Sequence, residues 1–258
     1  MLLLFKPRDQ KYIGEGNLPF GSYDDTSEWL PITRYLEQGA AEFPEKNMFR
    51  VADRDGNLIN THTYRETNEW ANRVANGFIK DYGVRKGDRV GIYMLNSSEY
   101  VISIIAIHKT GAVQVPINKD EKGDRLAYII NYSEMKALVV DPESIPMLDE
   151  IAKNLDKLEH VFVTGDPKAV PESAGGVKAL PFSVFDKYSS GNPGVDVKVS
   201  DVERCMFTSG TTGMPKGVSR NHGGVILTVR GYIQQHGVRS GDVLMSVLTL
   251  GHANAQVM

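Results

Sequence analysis

The strongest constraint on this chain is a ten-residue stretch, Thr208-Ser-Gly-Thr-Thr-Gly-Met-Pro-Lys-Gly217, which follows a run of apolar residues. Its glycines allow positive φ and let backbone N–H groups approach an anion closely. Its hydroxyls add donors that can also reach a phosphate-bound Mg²⁺, and Lys216 adds a mobile positive charge. The stretch therefore predicts a strand end followed by a phosphate-holding loop. The predicted nucleotide-binding residues are Thr208, Ser209, Gly210, Thr211, Thr212, Gly213 and Lys216, and the predicted magnesium ligands are Thr211 and Thr212.

The spacing of this loop differs from that of the Walker A loop, in which Gly precedes the Lys and Ser or Thr follows it. Here Pro215 precedes Lys216 and Gly217 follows it. An unrelated P-loop phosphotransferase, which would release ADP, is thus one alternative that the spacing disfavours. A flexible Gly/Thr surface loop without a ligand is the other alternative, and the full string is much more specific than that.

The same loop resembles the phosphate loop of the adenylate-forming superfamily, which contains acyl- and aryl-CoA synthetases, luciferases and peptide-synthetase adenylation domains. Upstream, Gly87-Asp-Arg-Val90, Asn96-Ser97, Gly111-Ala-Val113 and Pro116-Ile-Asn118 resemble a second segment of that superfamily. The resemblance implies ATP-dependent activation of a carboxylic acid to an acyl-adenylate, then thioester formation with coenzyme A. It implies ATP, Mg²⁺ and coenzyme A as cofactors and substrates, and Lys216 as the residue that steadies the departing pyrophosphate.

Composition narrows the class of protein further. With 41 % hydrophobic and 24 % charged residues the chain reads as an ordinary soluble globular protein. A net charge of −3 gives no electrostatic argument for a nucleic-acid partner, and no apolar run is long enough to span a bilayer. The single cysteine, Cys205, cannot form an internal disulfide, which suits the cytoplasm, and its apolar neighbours predict a core position.

Outside the loop, strand patterns alternate with helix patterns, which is typical of an α/β domain with a mainly parallel sheet flanked by helices. We predict a first α/β subdomain over residues 1–195, with an irregular lead-in over residues 1–28 and a loop-rich stretch between 167 and 193. A second subdomain that carries the loop is predicted to begin at residue 196. Helices are predicted over 29–43, 71–79, 100–109, 125–132, 145–155 and 222–235. Asn96 and Glu99 are predicted to be the cap of the third helix and its capping partner. Strands are predicted over 49–52, 59–63, 90–95, 112–117, 137–140, 160–164 and 243–250.

One histidine is a candidate site residue. Many superfamily members place an aromatic residue and a His after the strand predicted at 243–250, and His252 falls there, so the resemblance implies that His252 lies near the acyl group. Gly251 replaces the usual aromatic residue. The segment His252-Ala-Asn-Ala-Gln256 resembles ligases for small acids such as carnitine or crotonobetaine. A structural role for His252 is the alternative, and the other histidines show no metal-ligand spacing.

The superfamily's later segments do not occur in this sequence. We find neither the aromatic-Gly-x-Thr-Glu segment that helps to hold Mg²⁺, nor the Thr-Gly-Asp segment that binds ribose, nor the small C-terminal domain with its catalytic Lys. We therefore expect an N-terminal piece of an acid–CoA ligase, which cannot complete the reaction without its C-terminal part. A non-catalytic nucleotide-binding or interaction module that retains the fold is the alternative.

Overall fold

The fold is taken from a computed structural model, which describes residues 29–53, 55–208, 213–239 and 241–256. The lead-in predicted for residues 1–28 lies outside these ranges. The helices are α1 Ile32–Glu42, α2 Tyr64–Lys80, α3 Ser98–Lys109, α4 Gly123–Tyr132, α5 Ile145–Glu150 and α6 His222–His236. The strands are β1 Asn47–Ala52, β2 Leu58–Thr63, β3 Arg89–Tyr93, β4 Val113–Pro116, β5 Met135–Val140, β6 His160–Val163, β7 Ser173–Ala174, β8 Val177–Pro181, β9 Val202–Thr208 and β10 Lys216–Asn221.

The described strands form one large sheet and one small one. The large sheet has the order β10-β9-β4-β3-β5-β6-β8-β7, and β1 pairs with β2 in a separate antiparallel hairpin. Every neighbouring pair from β9 to β8 is parallel, whereas β10 and β7 pair antiparallel with β9 and β8 at the two edges. The predicted α/β class with a mainly parallel sheet is confirmed.

Successive residues of the central strands feed two cores on opposite faces of the sheet. Ile92 of β3 and Phe162 of β6 pack with α2 and α3, and the buried positions of α2 include Phe78. Tyr93 and Val161, their chain neighbours, point the other way and pack with α4 and α5. This alternation is the two-residue period of a strand that is buried on both sides.

The connections reverse direction around β3. The chain passes from β3 through α3 to β4 on one side, then from β4 through α4 across β3 to β5 on the other side. In open α/β sheets a ligand crevice forms outside the carboxyl ends of the strands, at such a reversal. The carboxyl edge of β3, β4 and β5 is therefore where the fold favours a functional site.

Three of the sequence-based predictions are wrong in part. Asn96 is not the cap of α3, because Ser97 occupies that position and its Oγ accepts a hydrogen bond from the Tyr100 N–H at 3.2 Å. The stretch 167–193 is not all loop, since it contains β7 and β8. The helix predicted over 145–155 is shorter, because α5 ends at Glu150 and one 3-10 turn follows at Ala152–Asn154.

The strand predicted over 243–250 is also wrong. The described part of this segment, 241–250, has no regular secondary structure, and Val243 and Val247 are 79 % and 81 % exposed. An extended apolar run becomes a strand only when it pairs with another strand, and no described strand pairs with this one. The remaining predicted elements are present with shifted ends. Because β9 and β10 extend the same sheet, the division at residue 195 stays a prediction.

The first residue of α6, His222, gives the fold a specific acid sensitivity. His222 is buried, its Nδ1 lies 3.4 Å from the Ile32 backbone nitrogen, and its ring lies 5.5 Å from that of His108. Burial, reinforced by His108 and opposed by Asp201, lowers the pKa of His222 to about 3. The unfolded chain takes up this proton near pH 6.5, and the folded chain does so only near pH 3. Stability is therefore lost as the pH falls through that interval, by at most about 1.4 kcal/mol per pH unit.

We expect His222→Gln to lose less stability than the parent when the pH is lowered from 7.5 to 5. Urea unfolding at the two pH values measures this difference. His236→Gln, at the exposed far end of the same helix, is the matched control and should follow the parent. An equal loss in the parent and in His222→Gln would contradict the assignment.

Candidate functional site

The predicted phosphate loop connects two antiparallel strands. β9 ends at Thr208, β10 begins at Lys216, and these two residues are register partners. The Thr208 hydroxyl lies 3.4 Å from the Lys216 carbonyl oxygen, a long hydrogen bond across the base of the hairpin. The structure thus brings Thr208 and Lys216 together. The other predicted ligands Ser209, Gly210, Thr211 and Thr212 lie outside the described residues, so their roles stay predictions.

The described part of the hairpin presents an open face. Thr208, Gly213 and Lys216 are exposed, and a Cβ placed on Gly213 would meet no atom of the described residues within 4 Å. Beneath them Pro215 is buried, and a Cβ on Gly217 would lie 3.0 Å from the Cys205 sulfur. Among the described residues, the exposed face of the hairpin is thus distinct from its packed side.

Topology separates this loop from the Walker A class. A Walker A loop leads from a strand into a helix whose N-terminus points at the phosphates. Here the chain returns along β10, and α6 begins only after Asn221, at the far end of that strand. The helix dipole therefore does not serve the loop. The hairpin agrees with the spacing argument against a P-loop phosphotransferase.

The loop leaves the sheet at its carboxyl edge. β9 runs parallel to β4, with Arg204 opposite Gln114, so the Thr208 end of β9 lies on the same side as the exits of β3 and β4. The segment 248–256 also docks at this edge. Asn96, just after β3, donates through Nδ2 to the Leu248 carbonyl at 2.8 Å and accepts from the Leu250 N–H at 2.7 Å. Both predicted site regions therefore meet one edge of the sheet.

His252 lies in a tight turn of the docked segment. Its N–H donates to the Thr249 carbonyl at 3.0 Å, and its carbonyl accepts from the Ala255 N–H at 3.1 Å. The His252 side chain is exposed. The position fits a residue that faces a ligand at the carboxyl edge, but its role in acid binding stays a prediction.

Gly251 packs directly against the exit of β4. A Cβ at this position would lie 3.1 Å from the Ile117 carbonyl oxygen and 3.4 Å from the Asn118 Cα, both of which are backbone atoms. A larger side chain would have to push the segment away from the sheet. The lack of a side chain at Gly251 therefore permits this close contact with the exit of β4.

A buried charged cluster lies behind the loop and was not anticipated from the sequence. Glu203 Oε2 lies 3.0 Å from His108 Nε2, Glu203 Oε1 forms an ion pair with Arg204 Nε at 2.9 Å, and all three side chains are at most 5 % exposed. Arg204 Nη1 also donates to Gln256 Oε1 at 2.9 Å. Burial lowers the pKa of Arg204, while Glu203 opposes that effect. The signal in the sequence is an acid and a base inside the apolar strand that precedes the loop.

A second polar tie fixes the exits of β4 and β5. Lys119 Nζ contacts Asp141 Oδ1 at 2.8 Å and Ser144 Oγ at 2.6 Å, and the Leu95 N–H donates to Asp141 at 2.9 Å. Burial acts to raise the pKa of Asp141, but these hydrogen bonds outweigh it and hold that pKa below its usual value. The tie links the exits of β3, β4 and β5 at the carboxyl edge, where the segment 248–256 docks.

The described residues offer no protein-only metal site and no membrane span. No group of three or more His, Cys, Asp and Glu side chains within them could hold a metal ion. None of the helices in the described ranges is long and apolar enough to cross a bilayer.

A family model described as AMP-binding enzyme matches residues 36–258. The crotonobetaine/carnitine–CoA ligase of Escherichia coli K12 is 30% identical over 214 residues, which are 80% of this chain and 39% of that protein. The crystal structure of the anthranilate CoA ligase AuaEII with anthranoyl-AMP has a TM-score of 0.67 and 29% identity, over 78% of this chain and 36% of that one.

A further solved structure is also similar to this chain. The inhibitor-bound N-terminal domain of FACL13 from Mycobacterium tuberculosis has a TM-score of 0.73 and 27% identity, over 89% of this chain and 54% of that one. The chain spans about two-fifths of the length of the curated relatives that it matches.

Proposed function

This chain belongs to the AMP-binding enzyme family, and from that premise we propose that it is the ATP-binding part of an acid–CoA ligase. The reaction is ATP-dependent activation of a carboxylic acid to an acyl-adenylate, followed by thioester formation with coenzyme A. The observation that carries the proposal is the hairpin in which Thr208 and Lys216 stand side by side under an open face. The names of the relatives, which are CoA ligases, support the same reaction class.

In this proposal the hairpin holds the triphosphate. Lys216 contacts the β- and γ-phosphate oxygens, and the Thr208 hydroxyl donates from the opposite strand. Thr211 and Thr212 would hold a Mg²⁺, and the ion would neutralise part of the charge of the phosphates. Each charge-assisted contact contributes roughly 1.5–3 kcal/mol. Lys216 is most useful as negative charge builds on the departing pyrophosphate, which makes its role electrostatic stabilisation of the transition state.

His252 lines the acid side of the site. The substrate carboxylate attacks the α-phosphorus, and the bond from that phosphorus to the bridging oxygen breaks, which releases pyrophosphate. The sulfur of coenzyme A then attacks the acyl carbon, AMP leaves, and the thiol proton passes to solvent. We assign the acid as a small carboxylic acid, because the relative with 30% identity is named for crotonobetaine and carnitine.

We further propose that this chain by itself binds Mg-ATP without completing the reaction. Holding the phosphates does not by itself orient a carboxylate against the α-phosphorus, and orientation supplies a large part of such rate enhancements. Incubating the chain with ATP, a small acid and coenzyme A tests this, because robust acyl-CoA formation would contradict it. Release of ADP without pyrophosphate would instead favour a phosphotransferase.

Calorimetric titration with Mg-ATP tests the phosphate site. We expect Lys216→Ala to bind Mg-ATP roughly 10- to 100-fold more weakly than the parent, from the loss of a charge-assisted contact. The loss should be much smaller for AMP, which lacks the two outer phosphates. Lys187→Ala is the matched control. Lys187 is also an exposed lysine, but it lies at the end of the Phe182–Lys187 turn, which packs against α2, and not in the hairpin.

Two results would contradict the proposal. A folded parent that does not bind Mg-ATP would overturn nucleotide binding by this chain. Equal affinities for the parent and for Lys216→Ala would favour the alternative of a non-catalytic interaction module, in which Lys216 affects stability alone.

A further inference from the structure

The turn that carries His252 is held at both of its ends by amide side chains. Asn96 bonds the backbone of Leu248 and Leu250 before the turn. Gln256, after the turn, donates through Nε2 back to the Leu250 carbonyl at 2.5 Å. Leu250 therefore has its N–H held by Asn96 and its carbonyl held by Gln256, and His252 lies between the two anchors.

The two anchors belong to two different strands of the sheet. Asn96 follows β3, at the reversal point where the fold favours a ligand crevice. Gln256 accepts from Arg204, which lies on β9, four residues before the phosphate loop begins. The turn is thus tied on one side to the crevice and on the other side to the strand that carries the loop.

The tie between Gln256 and β9 is shielded from water, whereas Asn96 lies at the exposed edge. Arg204 is 3 % exposed, so its hydrogen bond to Gln256 is shielded from water and charge-assisted. Tyr100 is fully buried, burial raises the pKa of its phenol, and the adjacent Gln256 amide offsets part of that effect. Gly251 adds a third constraint, since it has no side chain and lies against the Ile117 carbonyl at the exit of β4.

We propose that Asn96 and Gln256 are positioning residues that fix the His252 turn at the carboxyl edge, on the acid side of the nucleotide held by the loop. The proposal rests on the proposed function for the role of His252. It assigns neither residue a contact with substrate. Asn96 fixes the point at which the segment before the turn meets the carboxyl edge. Gln256 fixes the distance between the turn and β9.

Hydrogen exchange tests the anchoring without any ligand. In Asn96→Ala we expect the Leu250 amide to exchange at least about tenfold faster than in the parent, because it loses its acceptor. Asn96→Asp retains an acceptor oxygen, so it should restore most of the protection at Leu250. Gln256→Ala should accelerate amide hydrogen exchange across the turn that carries His252.

The chain offers a matched control in Asn131. Its Nδ2 donates to the Asn154 carbonyl at 2.5 Å, and its Oδ1 accepts from the Asp156 N–H at 3.2 Å. Asn131 thus makes the same pair of bonds to a segment before β6, far from the turn in sequence. Asn131→Ala should accelerate exchange near Asp156 and leave Leu250 unchanged. Unchanged exchange at Leu250 in Asn96→Ala would overturn the proposal.

Binding separates positioning from simple stabilisation. The probes are AMP and butyryl-sulfamoyl-adenosine, a stable mimic of an acyl-adenylate with a small acyl group. We expect Asn96→Ala to weaken binding of the mimic roughly tenfold and to leave AMP within about twofold, because only the acid side is displaced. Asn96→Asp should recover part of the loss.

The outcomes distinguish this proposal from the proposed function. A parent that binds AMP and the mimic equally, or an equal loss of both ligands in Asn96→Ala, would overturn the positioning role while leaving nucleotide binding intact. A parent that binds neither ligand would contradict the proposed function, and the exchange rates would then decide the anchoring alone.

Discussion

Replacing Glu203 by alanine should lower the free energy of unfolding by about 3–5 kcal/mol, because it leaves a buried charge without its partner. Arg204 is always protonated, is 3 % exposed, and has its Nε 2.9 Å from Glu203. Loss of the carboxylate removes the charge that compensates the guanidinium, and it also removes the partner of His108. Urea unfolding of the parent and the variant at neutral pH measures the difference.

A double variant tests whether the effect comes from the uncompensated charge. Replacing a buried ion pair by apolar residues of similar volume is often neutral or stabilising. Glu203→Leu combined with Arg204→Met should therefore be more stable than Glu203→Ala alone, although it also breaks the bond to Gln256. If Glu203→Ala costs less than about 1 kcal/mol, water reaches the guanidinium and the cluster is not as dry as its burial indicates.

Phe78→Ala should lower the free energy of unfolding by a similar amount, about 3–5 kcal/mol. The cause here is a cavity in the core and not an uncompensated charge. Phe78 is fully buried on α2, and its ring packs edge-on against Phe185 at 4.9 Å and Phe162 at 5.5 Å between centroids. Truncation removes both aromatic contacts and leaves a space that the sheet can only partly fill.

Phe43 provides the control for this truncation. It is 53 % exposed at the end of α1, so Phe43→Ala should change the free energy of unfolding by no more than about 0.5 kcal/mol. The Phe78→Ala protein should also keep its affinity for Mg-ATP at temperatures where it is folded. Phe78 packs on Phe162 of β6, and β6 is not a neighbour of β10, which carries Lys216, in the large sheet. A weakened affinity in the folded variant would show that the aromatic core supports the loop.

The elements that were predictable from sequence are those with a strong local signal. The buried face of α2 follows from the helical spacing of Ala71, Val74 and Phe78, and the β1–β2 hairpin follows from the turn around Gly56. The end of β9 at Thr208 was predictable because glycine, hydroxyl and lysine residues follow an apolar run there, and the phosphate-binding role of the loop stays a prediction. Each of these signals is contained within a few consecutive residues.

The rest depended on partners that lie far away in the sequence. Asn96 has the right chemistry for a helix cap, yet its amide instead bonds the backbone around Leu250, and Ser97 caps the helix. The charges of Glu203 and Arg204 would predict an exposed strand, but in the interior the two side chains pair with each other, next to His108 and Gln256. Such pairings are set by tertiary structure, which local patterns do not contain.

The β9–β10 hairpin has a consequence for the order in which the molecule assembles. It joins the rest of the sheet through the pairing of Gln114 with Arg204, whereas β3, β4 and β5 pair between neighbouring segments of the chain. Contacts between distant residues require closure of a long loop, whose entropic cost delays them. We expect the hairpin to be added last during folding and to detach first in local fluctuations. The predicted phosphate loop is thus carried by an edge hairpin whose attachment to the central strands depends on long-range contacts.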